Sequence, residues 1–392
     1  MDTDLKWLDL ETFNTDDRQK IKNTISHFIK AHPNAVMDHD LDWLSTKCGP
    51  DKSVKAFVSL ARDETLIGYA PFFVHPSALS FSLFGVSMFN YRVNRYTITA
   101  QPLVAEHYPE SEELLQSLFK QLREILSSRD VLFGLGVPFE STFGQFLANN
   151  DLLSKQYLVL PYGESYQRRL IQLPDDIEKY IGTLGSKTRA EVRRSLRRIN
   201  DEAAITFHVY SGPDEVPELL KQLQSLSAKT YQHKLLDLGI SENDETYQEL
   251  HYAAEKGWLR SHILFCNDEP VAFDHGFLHN QTYYSTHIGY DPKWTKSSVG
   301  LVTHIYTVKD LIEQNASNFD FMYGDSGNKA RLSNTSHEEQ NFYLIPRLFP
   351  LSSVARTLRL FNAIIDRLGR FLDEYGIKSK LRRFLRRKST QS

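Results

Sequence analysis

Residues Tyr283–Arg331 read YYSTHIGYDPKWTKSSVGLVTHIYTVKDLIEQNASNFDFMYGDSGNKAR. An apolar strand, Tyr283 to Ile288, gives way at Gly289-Tyr290-Asp291-Pro292-Lys293-Trp294 to a run of small and basic residues, Lys296-Ser297-Ser298-Val299-Gly300. A helical run from Leu301 to Gln314 follows, then a second strand, Phe319 to Tyr323, which ends in Gly324-Asp325-Ser326-Gly327-Asn328-Lys329. Strand, loop, helix and strand in this order aim backbone N–H groups and a helix N-terminus at an anion such as a phosphate. The pattern predicts an α/β (α+β) fold.

Upstream, the spacing predicts helices over Asp214–Lys229 and Tyr247–Lys256, then strands over Leu259–Phe265 and Val271–Leu278 joined by a turn at Cys266-Asn267-Asp268-Glu269-Pro270. The first part of the chain shows the same order of signals. It has a helix over Asp16–Lys30 capped by Thr15 or Asp16, and strands over Ser53–Leu60 and Thr65–Val74 about an Arg62-Asp63-Glu64 turn. A helix over Glu110–Ser127 and a strand over Asp130–Leu135 complete it. Two copies of one unit, offset by roughly 200 residues, are expected, well beyond the periods of solenoids. The expected division is residues 1–165, 166–350 and a tail over 351–392.

Between the copies, Ser186, an expected N-cap, opens a helix over residues 186–200. Lys187, Arg189, Arg193, Arg194, Arg197 and Arg198 crowd three of its turns. Like charges so placed repel, which fits an anionic partner or a solvated face. The tail holds 11 Lys and Arg against 3 Asp and Glu, a balance of +8, so the net charge of −3 hides an acidic body of −11 and a basic end. Leu358, Leu360, Phe361, Ile364, Ile365, Leu368 and Phe371, then Ile377, Leu381, Phe384 and Leu385, give it apolar stripes beside arginines. This suits either an anionic membrane surface or packing on the domain.

With 392 residues, 41% apolar, the chain buries sizeable cores. No apolar run reaches the length of a membrane span, and residues 1–6 carry no basic-then-apolar leader pattern, so a cytoplasmic location is expected. Cys48 and Cys266 are too few for a disulfide framework and are expected as buried thiols. Paired zinc ligands, a G-x-S-x-G elbow and a complete dinucleotide fingerprint are all missing, which argues against metal, serine-triad and hydride chemistries.

Three groups of residues can carry chemistry. Lys296, Ser297, Ser298 and Gly300 suit a pyrophosphate bound by main-chain N–H groups, Gly300 giving room for close approach; an ordinary strand-to-helix turn explains them equally. His275 and His287 interrupt apolar strands. A neutral histidine there is a general base for an amine or hydroxyl, or a hydrogen-bonded core residue. Asp274 and His275 face opposite sides of their strand. Asp325 and Lys329 follow a strand, either to orient a polar acceptor or to close the loop as an ion pair.

At these positions the sequence resembles the GNAT acetyltransferases of the BioF2-like, cellulose-biosynthesis CelD type. The resemblance lies in Gly289-Tyr290-Asp291-Pro292-Lys293-Trp294, Ser298-Val299-Gly300-Leu301, His304, Asp310-Leu311-Ile312-Glu313 and Phe319 through Lys329, and spans about residues 180–350. That family is similar in turn to the FemAB peptidyltransferases, which carry two GNAT-like units. The resemblance implies tandem GNAT-like domains with mixed, mostly antiparallel sheets flanked by helices. It also implies an acyl-CoA donor, usually acetyl-CoA, with its pyrophosphate on Lys296 to Gly300, its thioester beside the strand ending at Ile288, and Arg193 and Arg197 assisting.

Transfer would then run to an amine or hydroxyl of an envelope or exopolysaccharide sugar, with His287 and His275 for the proton and Asp325 and Lys329 on the acceptor. The family pattern has Pro where Val299 stands, an aromatic where Asn328 stands and a Trp near Leu332 and Ser333, so the acceptor side differs. Two other readings remain: an aminoacyl-tRNA-dependent transferase, and a non-catalytic partner of a polysaccharide assembly at the membrane.

Overall fold

Residues 6–83, 86–106, 108–229, 240 and 243–374 are described in a computed structural model of the chain. They form two units. Met1–Leu41, Gly49–Glu164 and Gln340–Ser392 make the first, and Asp42–Cys48 with Ser165–Glu339 the second. The chain from Gln340 onward therefore belongs to the first unit, where the sequence had suggested a second domain up to 350 and a separate tail. The tail residues 375–392, with Ile377, Leu381, Phe384 and Leu385, lie outside the described residues.

The first unit opens with β1 (Trp7–Asp9) and α1 (Thr15–Ala31), and α2 (Leu41–Thr46) then passes into the second unit. Asn14, not Thr15 or Asp16, caps α1, its side chain accepting from the Asp17 N–H at 2.9 Å. β2 (Ser53–Leu60), β3 (Leu66–Leu83) and β4 (Val86–Ile98) form an antiparallel meander, with the short β5 (Leu103–Val104) also paired to β3. α3 (Ser111–Ile125) then crosses back, and β6 (Asp130–Pro138) lies parallel to β4. Leu114, Leu115, Leu118, Phe119 and Leu122 recur at helical spacing on α3, and they bury against Trp7, Phe57, Phe72, Phe143 and Tyr157. α4 (Thr142–Asn149) and α5 (Asp151–Gln156) lead to β7 (Tyr157–Gln172), whose residues from Ser165 enter the second unit.

The second unit continues with α6 (Ile177–Thr183), α7 (Ser186–Glu202), β8 (Ile205–Tyr210), α8 (Val216–Lys229) and α9 (Asp244–Glu255). β9 (Ser261–Cys266), β10 (Glu269–His279) and β11 (Thr282–Tyr290) form another antiparallel meander. After α10 (Val299–Glu313), β12 (Asn318–Asp320) lies parallel to β11. Both units thus run through three antiparallel strands, a crossover helix and a strand parallel to the third. The expected duplication is present as topology. β9 and β10 are joined by Asn267 and Asp268, both at positive φ, the two-residue hairpin turn that these residue types favour. Strand order in this unit is β7-β12-β11-β10-β9-β8. α11 (Gly327–Leu332) and β13 (Thr335–Pro346) follow, β13 returning the chain to the first unit, where α12 (Leu351–Glu374) buries Leu351, Ala355 and Leu358 beside Leu79, Val93 and Ile345.

The strand expected over Phe319–Tyr323 stops at Asp320. The Asp320 carboxylate accepts from the Met322 N–H at 2.7 Å, and Met322 adopts φ +59°, a left-handed conformation that takes a non-glycine residue out of the extended region. Arg168 on β7 fixes the same carboxylate through Nε and Nη2 at 3.0 and 2.7 Å and reaches Glu339 on β13 at 3.3 Å. Burial alone would lower the Arg168 pKa, but the two carboxylates override it and hold the guanidinium well above its usual range. Glu339 also accepts from the Tyr166 hydroxyl at 2.9 Å. Asp320 and Glu339 are buried, so Arg168→Met leaves two carboxylates without their cation. That variant is expected to lose about 3–5 kcal/mol in urea unfolding; a loss within experimental error would show the pairing to be dispensable.

Candidate functional site

β11 pairs with β12 only over Thr282–Tyr284, opposite Asn318–Asp320. Beyond that point β11 runs on to Tyr290 with β10 on one side and, among the described residues, no strand on the other. The register with β10 shifts between His275 and Gly276, so that Thr286 is the extra residue of a bulge. Gly276 is required here: a Cβ would lie 2.2 Å from the Tyr284 carbonyl oxygen and 2.7 Å from the Tyr283 ring. Among the described residues of the second unit, the exposed large hydrophobics are Ile288, Tyr290 and Tyr323, all beyond the point where the two strands part.

β11 leads through a 3-10 turn, Pro292–Ser297, into α10. Ser298 takes the left-handed conformation (φ 54°, ψ 38°) at the helix start, and its side chain makes no cap. As first residues of the helix, Val299 and Gly300 have N–H groups without an intrahelical acceptor. Gly300 gives close approach to a protein side chain, since a Cβ there would stand 3.3 Å from the Tyr290 ring. Ser297 is buried and its hydroxyl donates to Glu202, so it holds α7 to the loop instead of facing a ligand. Lys296 is exposed, and its carbonyl accepts from Arg198 Nη1.

α7 buries Thr188, Val192, Ser195 and Ile199 and turns Lys187, Arg193, Arg194, Arg197 and Arg198 outward. Gly185, not Ser186, is its N-cap. Arg193 stands 3.6 Å from Glu178, and Arg197 Nε donates to the Arg193 carbonyl at 3.2 Å. Of these cations, Arg198 is the one bonded to the anion-type loop. Sequence reasoning counted it among the six without singling it out, although it lies one turn closer to Glu202 than Arg194.

The two sheet faces at β10 differ. On the α10 side Asp274 accepts from the Ser285 hydroxyl at 2.7 Å and the Tyr283 hydroxyl at 3.0 Å. His262, opposite it on β9, bonds through Nε2 to Asp310 at 2.8 Å, and Arg260 grips Asp310 with two N–H groups. Burial pushes Asp274 up to about 6, against the opposing pull of His262, Ser285 and Tyr283. On the other face His275 is buried, its Nδ1 2.6 Å from the Ser261 hydroxyl, and burial pushes its pKa down to about 3. His287 lies directly across the strands with its ring centroid 6.0 Å away, stacked. It has an exposed outer edge, while desolvation of its packed face keeps its pKa below the ordinary imidazole value. His287 is thus neutral near pH 7 and open, whereas His275 is enclosed behind it.

Asp325 pairs with Arg169 on β7 through bonds of 3.1 and 2.9 Å, and this hydrogen bonding lowers its pKa. Lys329 donates to the Tyr323 and Gly324 carbonyls at 2.7 and 3.1 Å, and burial lowers its pKa. They do not form the ion pair that the sequence offered; each closes the loop after β12 with a different partner. The Arg168 guanidinium carbon lies 5.0 Å from the Tyr323 ring centre. Arg168 and Glu339 were missed because they come from distant strands, Glu339 lying 171 residues from Arg168. Cys266 is buried, its thiol pushed up to about 11, whereas Cys48 is half-buried.

A family model described as Acetyltransferase (GNAT) domain matches residues 186–330, from the first turn of α7 into α11. No curated protein matches the sequence significantly. Among solved structures, FemX is similar with 13% identity and a TM-score of 0.58, covering 83% of this chain and 96% of FemX. L-PGS from Bacillus licheniformis is similar with 14% identity and a TM-score of 0.50, covering 86% of this chain and 96% of that one. The C-terminal domain (DUF2156) of a putative lysylphosphatidylglycerol synthetase from Agrobacterium fabrum is similar with 13% identity and a TM-score of 0.50, covering 83% and 92%. At such identities the likeness is one of fold, and the fold is GNAT-like.

The Asp274 shift carries a sign. Its folded pKa, about 6, lies above the ordinary carboxylate value, so the protonated form favours folding. Its contribution is most favourable below about pH 4 and is lost as pH rises through about 6, by up to about 3 kcal/mol. Asp274→Asn is therefore expected to gain on the natural chain between pH 4 and 8 in urea unfolding. Parallel pH profiles would contradict the shift.

Proposed function

We propose that the second unit is an acyltransferase of the GNAT type, BioF2-like or CelD-like, that takes its acyl group from acyl-CoA, acetyl-CoA first among candidates. The observation that carries this reading is the parting of β11 from β12, beyond which Ile288, Tyr290 and Tyr323 are exposed and β11 leads through the Pro292–Ser297 turn to the N-terminus of α10. The edge of β11 beyond Ser285, which no other strand among the described residues pairs, offers N–H and C=O groups to an extended amide chain, and the exposed apolar side chains suit its methylene groups. The Gly300 N–H, Lys296 and Arg198 fit a pyrophosphate, while Val299 behind them is wholly buried.

A bound acyl-CoA supplies an activated thioester. The acceptor amine or hydroxyl forms the new bond to the carbonyl carbon as the carbon–sulfur bond breaks, and CoA leaves as the thiolate, to which the proton collected from the acceptor is then passed. His287 takes the proton that the acceptor releases, since its neutral ring has an exposed edge at pH 7; His275 positions it by stacking from behind. β11 N–H groups polarise the carbonyl. The loop braced by Asp325–Arg169 and Lys329 presents Tyr323 to the acceptor, for which an envelope or exopolysaccharide sugar, or its precursor, at the cytoplasmic face of a membrane is the proposed class. Arg193 and Arg197 add positive potential from the outer face of α7.

The exposed cationic face of α7 favours one second reading, an aminoacyl-tRNA donor in place of CoA. Binding of charged tRNA should then fall steeply with salt and disappear in Arg193→Glu/Arg197→Glu; absent or salt-insensitive binding would remove this reading.

Calorimetric titration with acetyl-CoA is expected to show binding, weakened about tenfold or more in Arg198→Ala/Lys296→Ala. His287→Gln should leave that affinity unchanged while lowering turnover about a hundredfold. No heat with acetyl-CoA or longer acyl-CoAs would remove the CoA donor, and full activity in His287→Gln would remove the proposed base.

A further inference from the structure

We infer that the first unit docks on an anionic lipid bilayer through a face built from Phe81, Met88 and Phe89 of the β3–β4 hairpin and the outward stripe of α12. α12 carries two apolar stripes. Leu351, Ala355 and Leu358 enter the core, whereas Leu360, Ile364 and Leu368 recur every four residues on the opposite side and are exposed, Leu360 by 64% and Ile364 by 55%. The core accounts for the first stripe and leaves the second in water, where an amphipathic helix does not ordinarily place large aliphatic side chains.

A second element extends the same face. The hairpin exposes Met88 by 60% and Phe89 by 58% next to its tip. Phe89 meets Phe81 across the strands at 5.8 Å between ring centroids, and Phe81 meets Phe361 of α12 at 5.5 Å. Phe89, Phe81 and Phe361 thus join the hairpin strands and the helix. Exposed Arg356, Arg359 and Arg367 flank it, and the sequence beyond Glu374 adds seven Lys and Arg with no Asp or Glu. Apolar side chains flanked along the helix by arginines match the acyl boundary and phosphate headgroups of an anionic leaflet, which chooses this occupant over a neutral protein surface. Among the described residues no helix is long and apolar enough to cross a membrane, so the face lies on a bilayer and does not span it.

The test is co-sedimentation of the full chain with phosphatidylcholine vesicles, with and without phosphatidylglycerol. Binding is expected with phosphatidylglycerol and is expected to weaken with salt. Met88→Ser/Phe89→Ser and Leu360→Gln/Ile364→Gln should each lower the partition coefficient about tenfold or more. Arg356→Glu/Arg367→Glu should remove the preference for phosphatidylglycerol.

All these positions are exposed, and an unchanged melting curve checks that the variants fold. Deleting residues 375–392 should weaken binding but keep its sensitivity to Met88→Ser/Phe89→Ser. Four results would overturn the inference: no vesicle binding, variants that bind like the natural chain, binding carried wholly by residues 375–392, or a concentration-dependent dimer that the variants dissolve without any vesicle binding. Acetyl-CoA titration of the same variants separates this face from the donor site, because its outcome there is expected to be unchanged.

Discussion

Where β12 ends is the constraint on which the second unit depends. A parallel partner of ordinary length would zip along β11 and satisfy its edge. Instead the Asp320 carboxylate is held by Arg168 and turned back onto the Met322 N–H, Met322 goes to positive φ, and the chain leaves the sheet after three paired residues. The remaining edge of β11 is left with hydrogen-bonding groups and with Ile288 and Tyr290 beside the start of α10. A buried ion pair rarely adds much net stability over apolar packing, so its worth here is geometric: it fixes where a strand stops.

The polar core beneath that edge follows from the same geometry. Tyr283 and Ser285, the residues on either side of the parting, turn inward to Asp274, and the bulge at Thr286 brings His287 across from His275. Burial separates the two histidines chemically. One is enclosed with Ser261 and stays neutral far into acid, the other keeps an open edge. Similar residues at neighbouring positions thus acquire different uses from their exposure alone.

The order of helices and strands was legible, because helical and alternating periodicities and turn residues such as Asn267 and Asp268 are local signals. The repeat of meander, crossover helix and parallel strand was also legible as a repeated order. What was not legible came from distance along the chain. Gln340–Glu374 joins the first unit through contacts that no local pattern announces, and Glu339 meets Arg168 from another strand. Cap and loop details failed for a related reason: Asn14, Gly185 and the partners of Asp325, Lys329 and Ser297 were chosen by three-dimensional neighbours. For the tail the sequence leaves a membrane surface and packing on the domain both open; its first two turns pack on the first unit through Leu351, Ala355 and Leu358, and Phe361 meets Phe81 of a hairpin far away in sequence.

The central claim, that an acyl-CoA lies along the free edge of β11 with its pyrophosphate on the start of α10, is tested most directly by amide hydrogen exchange with and without acetyl-CoA. Slowed exchange is predicted at amides between Ser285 and Tyr290 and at Gly300, with β8 and β9 unchanged. Unaltered exchange at those amides under saturating acetyl-CoA, or protection confined to other elements, would contradict the account.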